Sequence, residues 1–564
     1  MTEPRPAHDL SRIVKANDVR GKVGVDLDAE IARALGAALV DFLEAPELVV
    51  AHDMRLSSPE LSRAVIEGAV RRGVIVAEAG LASTDQLYCA SGLHRAAGVM
   101  ITASHNPPGD NGMKLCLPGA RPIGRDSGLN EIARAAEAYL DAGEIPRRGE
   151  GRAETIDTLT DYVELLHRLV PLPEGRRLRV VVDAGSGMAG HTAPGVLGSL
   201  PQIQLIGLHL ELDGTFPHRG ADPLRPENLV ALREAVVAEE ADLGLAFDGD
   251  ADRCVVLDET GATVPPSALT ALIAEREIAR ARAAGEQTPV VVSNVVSSRH
   301  VEETVRAAGA EHVRTPVGHA RIKTIMAEHN AVFGGEHSAH YYFRDFFSAD
   351  SGMLAALHIL AALGESDGTA SELVASHAPY AASGEINTAV ADPEAVIARV
   401  REHAESLPGA RLEEVDGLNI LHWDESMPEA ERWWASLRTS HTEALLRLNV
   451  EAAQEETMQR VRDELLALRD ADAATGEPAV PADDTTASAD DAVASVADAP
   501  RLPAGASGAD VPSWVRALLR CPDCGGELAD ADQALQCLAC GRVHAVEGGI
   551  PVLIAGRAEA PETR

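Results

Sequence analysis

The chain has 564 residues, and this length predicts roughly three to five domains. Hydrophobic residues make up 45% of the chain and aromatic residues only 3%, so its cores must consist mainly of Ala, Val, Leu and Ile. The net charge of −37 repels phosphate backbones, which argues against nucleic-acid binding, so a small anionic ligand would need a locally basic cleft.

From the sequence we expect a cytoplasmic protein that does not contact a membrane. Residues 1–15 are polar and hold no apolar stretch of the kind found in signal peptides. No segment approaches the ~20 apolar residues of a membrane span. Cys89, Cys116 and Cys254 are scattered and are predicted to be core thiols, which suits a reducing compartment.

The first predicted domain, residues 1–152, alternates strand and helix patterns in the manner of a mixed α/β fold. A strand is predicted over 47–52, a helix over 59–71 and a buried strand over 97–101. Residues 17–21 are predicted to form a turn that carries Arg20.

The same pattern recurs downstream without a tight sequence repeat. It predicts two more α/β domains at 153–260 and 261–376, then an α+β domain at 377–469 that ends in a helix over 455–468. Residues 470–512 are predicted to be a flexible linker, since they are rich in Ala, Asp, Pro, Ser and Thr. Residues 513–564 form a separate unit.

A serine and a histidine follow the strand over 97–101. They lie in Thr-Ala-Ser-His-Asn-Pro, residues 102–107, and the Pro-Gly-Asp-Asn-Gly segment at 108–112 is predicted to turn. Ser104 and His105 therefore lie in a tight loop at a strand end, where α/β proteins tend to place chemistry. Taken alone, such a pair is more often polar surface.

Three carboxylates at alternating positions follow the strand over 243–247. Asp248, Asp250 and Asp252 would repel one another unless a cation neutralised them, and an all-oxygen ligand set suits Mg²⁺ above Ca²⁺. Glu259 stands where a calcium-binding EF-hand loop needs its glutamate, but the intervening residues 254–257 form a strand pattern, which excludes that motif. The alternative is a simple acidic turn.

Two further loops carry polar side chains. Glu336, Ser338 and His340 follow a strand and could grip sugar hydroxyls, although a surface turn is an equal alternative. Residues 438–442, Arg-Thr-Ser-His-Thr, combine a guanidinium, hydroxyls and backbone amides that could bind a phosphate without a metal. Taken alone, this loop is more often solvated surface.

Taken together and in this order, these motifs and residues 17–21 resemble the α-D-phosphohexomutase superfamily, in its phosphomannomutase/phosphoglucomutase branch. The resemblance covers about residues 10–468 and is most specific at Asp-Gly-Asp-Ala-Asp-Arg and Thr-Ala-Ser-His-Asn-Pro. It implies a heart-shaped protein of three mixed α/β domains and a C-terminal α+β domain, with one loop from each domain lining a central cleft.

The resemblance also implies roles for individual residues. Ser104 would be a phosphoserine that exchanges its phosphoryl group with hexose phosphates through a hexose 1,6-bisphosphate, which would also act as activator. The implied Mg²⁺ ligands are Ser104, Asp248, Asp250 and Asp252. The implied neighbours of the reacting centre are Arg20, His105, Lys114, Arg253 and His340, with His105, Lys114 and His340 as unranked candidates for acid–base work. The implied substrate contacts are Gly318, His319, Glu336, Ser338 and His340 for the sugar, and Arg438, Ser440, His441 and Thr442 for the phosphate.

The chain departs from the family pattern at three positions. His441 and Ala444 replace an Asn and a Pro in the phosphate loop, and Val296 stands where some relatives have a lysine. His337 and Ala339 favour a phosphomannomutase, whereas phosphoglucosamine mutases commonly carry Gln or a similar residue at position 337. A phosphoglucosamine mutase stays the alternative within the superfamily.

The C-terminal unit carries four cysteines. Cys521, Cys524, Cys537 and Cys540 have the spacing CxxC–x12–CxxC, which predicts a structural Zn²⁺ site, with free thiols or a disulfide as the alternatives. With its flanks at 518–520 and 543–554, the unit resembles the zinc-ribbon family of tRNA-methyltransferase activators. A protein partner for this tail is therefore expected, and the alternative of another class is a regulatory protein that acts through it.

Overall fold

A computed structural model of the chain describes residues 8–43, 46–390, 392–424, 426–439 and 445–470, and in the tail 528–531, 534–537, 540, 543–547 and 550–551. The chain divides into two units, Met1–Ala482 and Asp483–Arg564. The first unit contains four successive sheets, and the second contains one.

The first sheet is mixed and has the order β1-β5-β4-β2-β3-β7, with β6 beside β5. Its elements are β1 (Val19–Lys22), α1 (Ala29–Leu43), β2 (Glu47–His52), α2 (Ser58–Arg71), β3 (Ile75–Leu81), α3 (Thr84–His94), β4 (Ala97–Ile101), β5 (Asp110–Leu117), β6 (Arg121–Pro122), α4 (Leu129–Ala142) and β7 (Arg152–Thr155). Strand β7 pairs with β3, so this sheet extends past residue 152.

Both faces of this sheet are covered, which explains why its central strands are continuously apolar. In β2, Leu48 and Val50 pack towards α1, α2 and α4. Val49 and Ala51, on the opposite face, pack towards α3. The predicted alternation of strands and helices in this region is confirmed.

Two predicted turns are wrong in part. Residues 17–21 are predicted to turn, but residues 19–22 form strand β1. Of the predicted turn over 108–112, residues 110–112 open strand β5. The reason is their antiparallel pairing, in which Arg20 lies opposite Gly112. A Cβ at Gly112 would lie 1.9 Å from the carbonyl oxygen of Val19, so only glycine allows this close approach.

The second sheet has the order β11-β10-β8-β9, and only β11 is antiparallel to its neighbour. Its elements are α5 (Leu159–Leu169), β8 (Leu178–Asp183), α6 (Ala189–Val196), β9 (Ile203–Leu208), α7 (Val230–Ala238), β10 (Leu243–Phe247) and β11 (Cys254–Asp258).

The third sheet has the order β13-β12-β14-β15-β16, with β12, β13 and β14 parallel. Its elements are α8 (Pro266–Ala283), β12 (Val290–Asn294), α9 (Arg299–Ala307), β13 (Glu311–Thr315), α10 (His319–His329), β14 (Phe333–Gly335), β15 (Tyr341–Phe343), β16 (Ala349–Asp350), α11 (Gly352–Gly364) and α12 (Ala370–Ala375).

The second and third sheets share one hydrophobic core, which helix α11 helps to join. Every residue of α11 from Gly352 to Leu363 is buried, and its side chains belong to the same apolar cluster as Val180, Leu245 and Phe333. Among the helices that the structure describes, none combines the length and apolar character needed to cross a bilayer.

The fourth sheet is antiparallel, has the order β17-β21-β20-β19-β18 and forms a core of its own with two helices. Its elements are β17 (Ala381–Ala389), α13 (Pro393–Glu405), β18 (Arg411–Glu414), β19 (Leu418–His422), β20 (Trp433–Thr439), β21 (Leu445–Ala452) and α14 (Glu455–Asp470). The predicted change from α/β to α+β architecture is confirmed here.

The C-terminal unit is described only in part. It contains the antiparallel strands β22 (Leu528–Ala531), β23 (Ala534–Cys537), β24 (Val543–Glu547) and β25 (Ile550–Pro551). Cys537 is buried at the end of β23. Asp470, predicted to begin the linker, ends helix α14. Residues 471–512 of the predicted linker, together with Cys521 and Cys524, lie outside the described residues, so the predicted zinc site stays a prediction.

Candidate active site

Ser104 lies in the loop between β4 and β5, in a left-handed conformation with φ of 48°. Its amide donates to Oγ1 of Thr102 at 2.9 Å. Its hydroxyl donates to Oδ2 of Asp248 at 2.8 Å and lies 3.2 Å from Nδ1 of His105. The fold thus brings the predicted serine of the first domain against the first carboxylate of the second.

The three predicted carboxylates lie together in the loop after β10. Oxygens of Asp248, Asp250 and Asp252 lie within 4.8 Å of one another, and all three residues are buried. Strand β5 brings Lys114 to the same place, where its Nζ lies 2.7 Å from Oδ2 of Asp250 and also bonds Asp252. Thr84, at the start of α3, donates its hydroxyl to the same Asp250 oxygen at 2.5 Å.

The charged groups of this cluster shift one another's pKa values strongly. Burial, followed by repulsion from Asp252 and Asp250, raises the pKa of Asp248 well above its usual value. Burial alone would lower the pKa of Lys114, but Asp250 and Asp252 together outweigh it and raise the pKa, so Lys114 is protonated at neutral pH. The three carboxylates therefore still repel one another with Lys114 beside them.

This donor set fits a divalent hard cation. All candidate ligand atoms are carboxylate or hydroxyl oxygens, as Mg²⁺ prefers. Oδ1 of Asp250 and Oδ1 of Asp252 are buried and have no hydrogen-bond partner within the described part of the chain. A cation would satisfy these atoms and relieve the repulsion that raises the pKa of Asp248.

Arg253 connects two histidines at the edge of the cluster. Its Nη2 lies 2.9 Å from Nδ1 of His105, and its Nε donates to Nε2 of His340 at 3.1 Å. The Arg253 charge, followed by burial, lowers the pKa of His105 well below its usual value. Both imidazoles therefore present an acceptor nitrogen to the guanidinium, and His105 is neutral at neutral pH.

Arg20 also lies in the field of this cluster. Its Nε donates to Oδ2 of Asp18 at 2.8 Å. Burial would lower the pKa of Arg20, but Asp18 and Asp250 raise it above its usual value. Strand β1 thus carries a fixed positive charge towards the carboxylates.

The predicted sugar loop is built around Glu336, which follows β14 and is buried. Its Oε1 accepts from the amide of Gly318 at 3.2 Å, so two predicted sites meet here. In the same loop, Oγ of Ser338 lies 2.9 Å from Nδ1 of His340. His340 therefore links this loop to Arg253. The side chain of His319 lies outside the described atoms.

The predicted phosphate loop begins at the end of β20, where Arg438 is buried. Its Nη2 donates to Oε2 of Glu385 at 2.7 Å, and its Nη1 lies 3.6 Å from Oδ2 of Asp416. Asp416 also accepts from the amide of Val317, beside Gly318, at 3.1 Å. Ser440, His441 and Thr442 lie outside the described residues, so their roles stay predictions.

Four successive segments match the domains of one known family. They are phosphoglucomutase/phosphomannomutase alpha/beta/alpha domain I over residues 11–142, domain II over 160–261, domain III over 265–380 and the C-terminal domain over 385–468. The chain is 36% identical over 462 residues to a phosphomannomutase of Escherichia coli K12, with 80% of this chain and 97% of that protein covered.

The chain belongs to the phosphoglucomutase/phosphomannomutase family. It is accordingly an enzyme of the isomerase class. A relative described as phosphohexose mutases in Xanthomonas campestris pv. campestris is 38% identical over 451 residues, with 79% of this chain and 96% of that protein covered.

Solved structures agree with the family assignment. A family protein from Burkholderia thailandensis has a TM-score of 0.72 and 29% identity, with 82% of this chain and 98% of that chain covered. The phosphoglucomutase parafusin from Paramecium, with a TM-score of 0.64 and 18% identity over 85% of this chain and 98% of that chain, shares the fold. The tail lies beyond all four matched family domains.

Two positions at which the residue type differs among family members lie between the third and fourth domains. His337 and Val296 line one cavity together with Tyr380 and Trp434. Burial lowers the pKa of His337, so its ring is neutral at neutral pH. In this family member the two residues therefore form an uncharged wall.

Several residues that support the family's motifs were missed in the sequence. Tyr342 donates its hydroxyl to Oε2 of Glu336 at 2.6 Å, and Nδ2 of Asn294 donates to Oε1 at 3.3 Å. Thr84 supports Asp250 from another domain. None of them lies in a polar motif, and their roles follow from long-range contacts that a single sequence does not display.

Proposed function

We propose that the chain interconverts hexose 6-phosphates and hexose 1-phosphates, with mannose phosphates as its preferred pair and glucose phosphates as further substrates. The observation that carries the proposal is the 2.8 Å contact between the hydroxyl of Ser104 and the buried carboxylate cluster. The names of the Escherichia coli and Xanthomonas relatives support the substrate class.

The proposed reaction has two phosphoryl transfers. In the first, the bond between phosphorus and Oγ of Ser104 breaks, and a bond forms from phosphorus to the free hydroxyl of the sugar phosphate. The resulting hexose 1,6-bisphosphate reorients by about half a turn, and its other phosphoryl group returns to Ser104. Free bisphosphate would restore phosphoserine that is lost.

The chain's own residues would manage charge and protons during each transfer. Lys114 is protonated, so we assign it to charge stabilisation, together with Arg20 and Arg253. The proton of the attacking hydroxyl passes to an imidazole, His105 or His340, and a proton returns to the leaving Oγ of Ser104, so that the serine ends the first transfer as a hydroxyl. Mg²⁺ held by Asp248, Asp250, Asp252 and an oxygen on Ser104 would supply further positive charge to the phosphoryl oxygens.

Substrate recognition is assigned to the third and fourth domains. Glu336, Ser338 and His340 would bind sugar hydroxyls, with Gly318 and His319 as a further contact. Arg438, Ser440, His441 and Thr442 would hold the phosphate that does not react. The buried position of Arg438 between Glu385 and Asp416 supports this role, because both carboxylates orient its guanidinium.

The tail is proposed to be a structural zinc module with a protein partner. Cys521, Cys524, Cys537 and Cys540 would be the ligands, and the buried position of Cys537 at a strand end supports the proposal. The predicted location in the cytoplasm stays a prediction from the sequence.

A coupled mutase assay tests the enzyme proposal. With Mg²⁺ and a bisphosphate primer present, the wild type should convert mannose 1-phosphate, Ser104→Ala should not, and the exposed control Ser406→Ala should match the wild type. An inactive wild type under these conditions contradicts the proposal. A kcat/KM for glucosamine phosphate equal to or above that for mannose phosphate would overturn the assignment of mannose.

A further inference from the structure

Arg55, between β2 and α2, is buried beneath the loop that carries Ser104. Its guanidinium donates to four carbonyl oxygens, three in that loop and one at the start of β5. Nη1 donates to Pro107 at 2.7 Å and to Asp110 at 3.0 Å, and Nη2 donates to Ser104 at 2.8 Å and to Asn106 at 2.7 Å. One side chain thus fixes nearly the whole turn between β4 and β5.

The guanidinium itself contacts a carboxylate and an aromatic ring, and further hydrogen bonds hold that carboxylate. Its Nε lies 3.3 Å from Oδ2 of Asp53, and the amide of Arg55 donates to Oδ1 of Asp53 at 2.9 Å. Ser58, at the start of α2, donates its hydroxyl to the same oxygen. The ring of Phe216, from the second domain, lies 5.1 Å from the guanidinium carbon. Arg55 is therefore held in place by residues that lie outside the loop that carries Ser104.

The carbonyl of Ser104 needs such support because the residue is in the left-handed region. A non-glycine residue there costs of the order of 1 kcal/mol, which the surroundings must offset. On its other side this carbonyl faces Gly249, where a Cβ would lie only 2.5 Å from the oxygen. The oxygen thus lies between the Arg55 guanidinium and the backbone of the carboxylate loop.

We propose that Arg55 is the positioning residue for phosphoryl transfer at Ser104, because its four carbonyl bonds hold the serine backbone in the left-handed conformation that directs Oγ to Asp248. The inference rests on the proposed function. Among the described residues, Arg55 donates to the backbone carbonyl of Ser104 and not to its Oγ, so it acts through the loop backbone.

The arrangement explains why an arginine is needed here. A lysine carries the same charge on a similar stem, but its single nitrogen lacks the planar fork that reaches two pairs of carbonyls at once. Arg55→Lys should therefore keep the charge and loosen the loop. A displacement of the reacting atom by about 1 Å is enough to slow a reaction up to about a hundredfold.

The test measures single-turnover transfer of phosphate from Ser104 to mannose 1-phosphate, normalised to the phosphoserine content found by mass spectrometry. For Arg55→Lys we expect the transfer rate and kcat to fall about 10-fold to 100-fold, with KM within about twofold of the wild type. KM should stay close to the wild-type value, because the proposed sugar-binding and phosphate-binding loops lie in other domains than Arg55.

Arg176→Lys is the matched control. Arg176 also donates to several carbonyls, those of Leu363, Ser366 and Gly368, but at the junction of the second and third domains. This variant should lower the thermal midpoint at an unchanged transfer rate per phosphoserine. An equal fall in rate for both variants would assign Arg55 a merely structural role and overturn the inference.

Phe216→Leu removes only the ring that covers the guanidinium, and it keeps the inference testable if Arg55→Lys does not fold. We expect the transfer rate to fall about threefold with KM unchanged. This factor follows because a weak cation–π contact contributes about 0.5–1 kcal/mol, and losing that energy in the transition state slows the reaction by about this much. A wild-type transfer rate in this variant, or in folded Arg55→Lys, overturns the inference. An inactive wild type instead contradicts the proposed function itself.

Discussion

Hydrogen bonds to a buried carboxylate fix one side chain of the proposed sugar site. Glu336 is buried and accepts from three donors, the amide of Gly318, the side-chain amide of Asn294 and the hydroxyl of Tyr342. Each donor removes one way for the carboxylate to rotate. Glu336 is therefore fixed in the free protein. If it binds the sugar as proposed, this lowers the conformational entropy lost on binding.

Tyr342→Phe tests this arrangement. A hydrogen bond to a charged group contributes about 1.5–3 kcal/mol, so its loss should raise KM for mannose 1-phosphate roughly 10-fold or more. The neighbouring Tyr341→Phe is the control, since the hydroxyl of Tyr341 makes only a 3.5 Å contact with the carbonyl of Pro266. Steady-state kinetics should separate the two variants. Equal KM values would mean that Tyr342 does not orient Glu336.

At the residue scale, the candidate catalytic residues are easier to predict from the sequence than the residues that position them. Ser104, Asp248, Asp250 and Asp252 lie in polar motifs at strand ends, and the structure brings them together. Arg55 lies just as close to a strand end, but its neighbours in the sequence say nothing about the four carbonyls it bonds. Those partners lie about fifty residues away and exist only in the fold.

At the scale of elements, the edge strand β1 carries Arg20 to the carboxylate cluster. It pairs with β5, which also carries Lys114, so one strand pair positions two cations of the site. Gly112 makes this pairing possible, because a Cβ there would collide with the carbonyl oxygen of Val19. The position of Arg20 beside the carboxylates thus depends on Gly112.

Gly112→Ala should push β1 away from β5. Overpacking a tight contact costs typically 1–3 kcal/mol, and we expect a destabilisation of about that size together with a loss of activity through Arg20. Gly109→Ala is the control, since its Cβ would meet nothing within 4 Å. Denaturant unfolding and mutase assays on both variants give the comparison. A Gly112→Ala enzyme with wild-type stability would show that the strands can separate freely.

The sequence predicts buried elements well and edge elements poorly. Apolar strands such as β2, β4 and β10 stand out because both of their faces are covered. The polar strand β1 and the first residues of β5 contain Asn, Asp and Gly, which are typical of turns. Backbone pairing at the sheet edge overrides that local preference.

At the scale of the whole molecule, buried polar groups join the first three domains. Asp85, in α3 of the first domain, accepts from the hydroxyl of Tyr162 in the second at 2.6 Å and from that of Ser351 in the third at 2.6 Å. It also accepts from Ser83 within its own domain. Together with the core shared by the second and third sheets, this network explains why three predicted domains pack as one body.

This network predicts a pH dependence of stability. Burial raises the pKa of Asp85 from 3.8 to about 6, its hydrogen bonds opposing the shift. Because the folded-state pKa is raised, the contribution of Asp85 is fully present below about pH 4 and is lost as the pH rises through 6. The shift corresponds to about 3 kcal/mol.

Asp85→Asn removes this titration. The difference in free energy of unfolding between the wild type and Asp85→Asn should therefore change by about 3 kcal/mol in favour of the variant from pH 4 to pH 7. Urea unfolding at several pH values measures it. A difference that is constant with pH would mean that Asp85 titrates normally in the folded protein.

The two units should act independently in catalysis. The region that is aligned with the Escherichia coli phosphomannomutase covers 97% of that enzyme but only 80% of this chain. A chain ending at Asp470 should therefore keep the full kcat/KM of the mutase. The intact chain should contain about one zinc by metal analysis, and the shortened chain none. A zinc content well below one per intact chain contradicts the zinc proposal.

The central claim is that Ser104 carries the phosphoryl group between sugars, and isotope transfer tests it most directly. Incubation with bisphosphate labelled in its phosphoryl groups should place the label on the peptide that contains Ser104, and unlabelled mannose 1-phosphate should then remove it within the turnover time. The Ser104→Ala chain should take up no label. A wild-type enzyme that turns over substrate while Ser104 stays unlabelled would contradict the account.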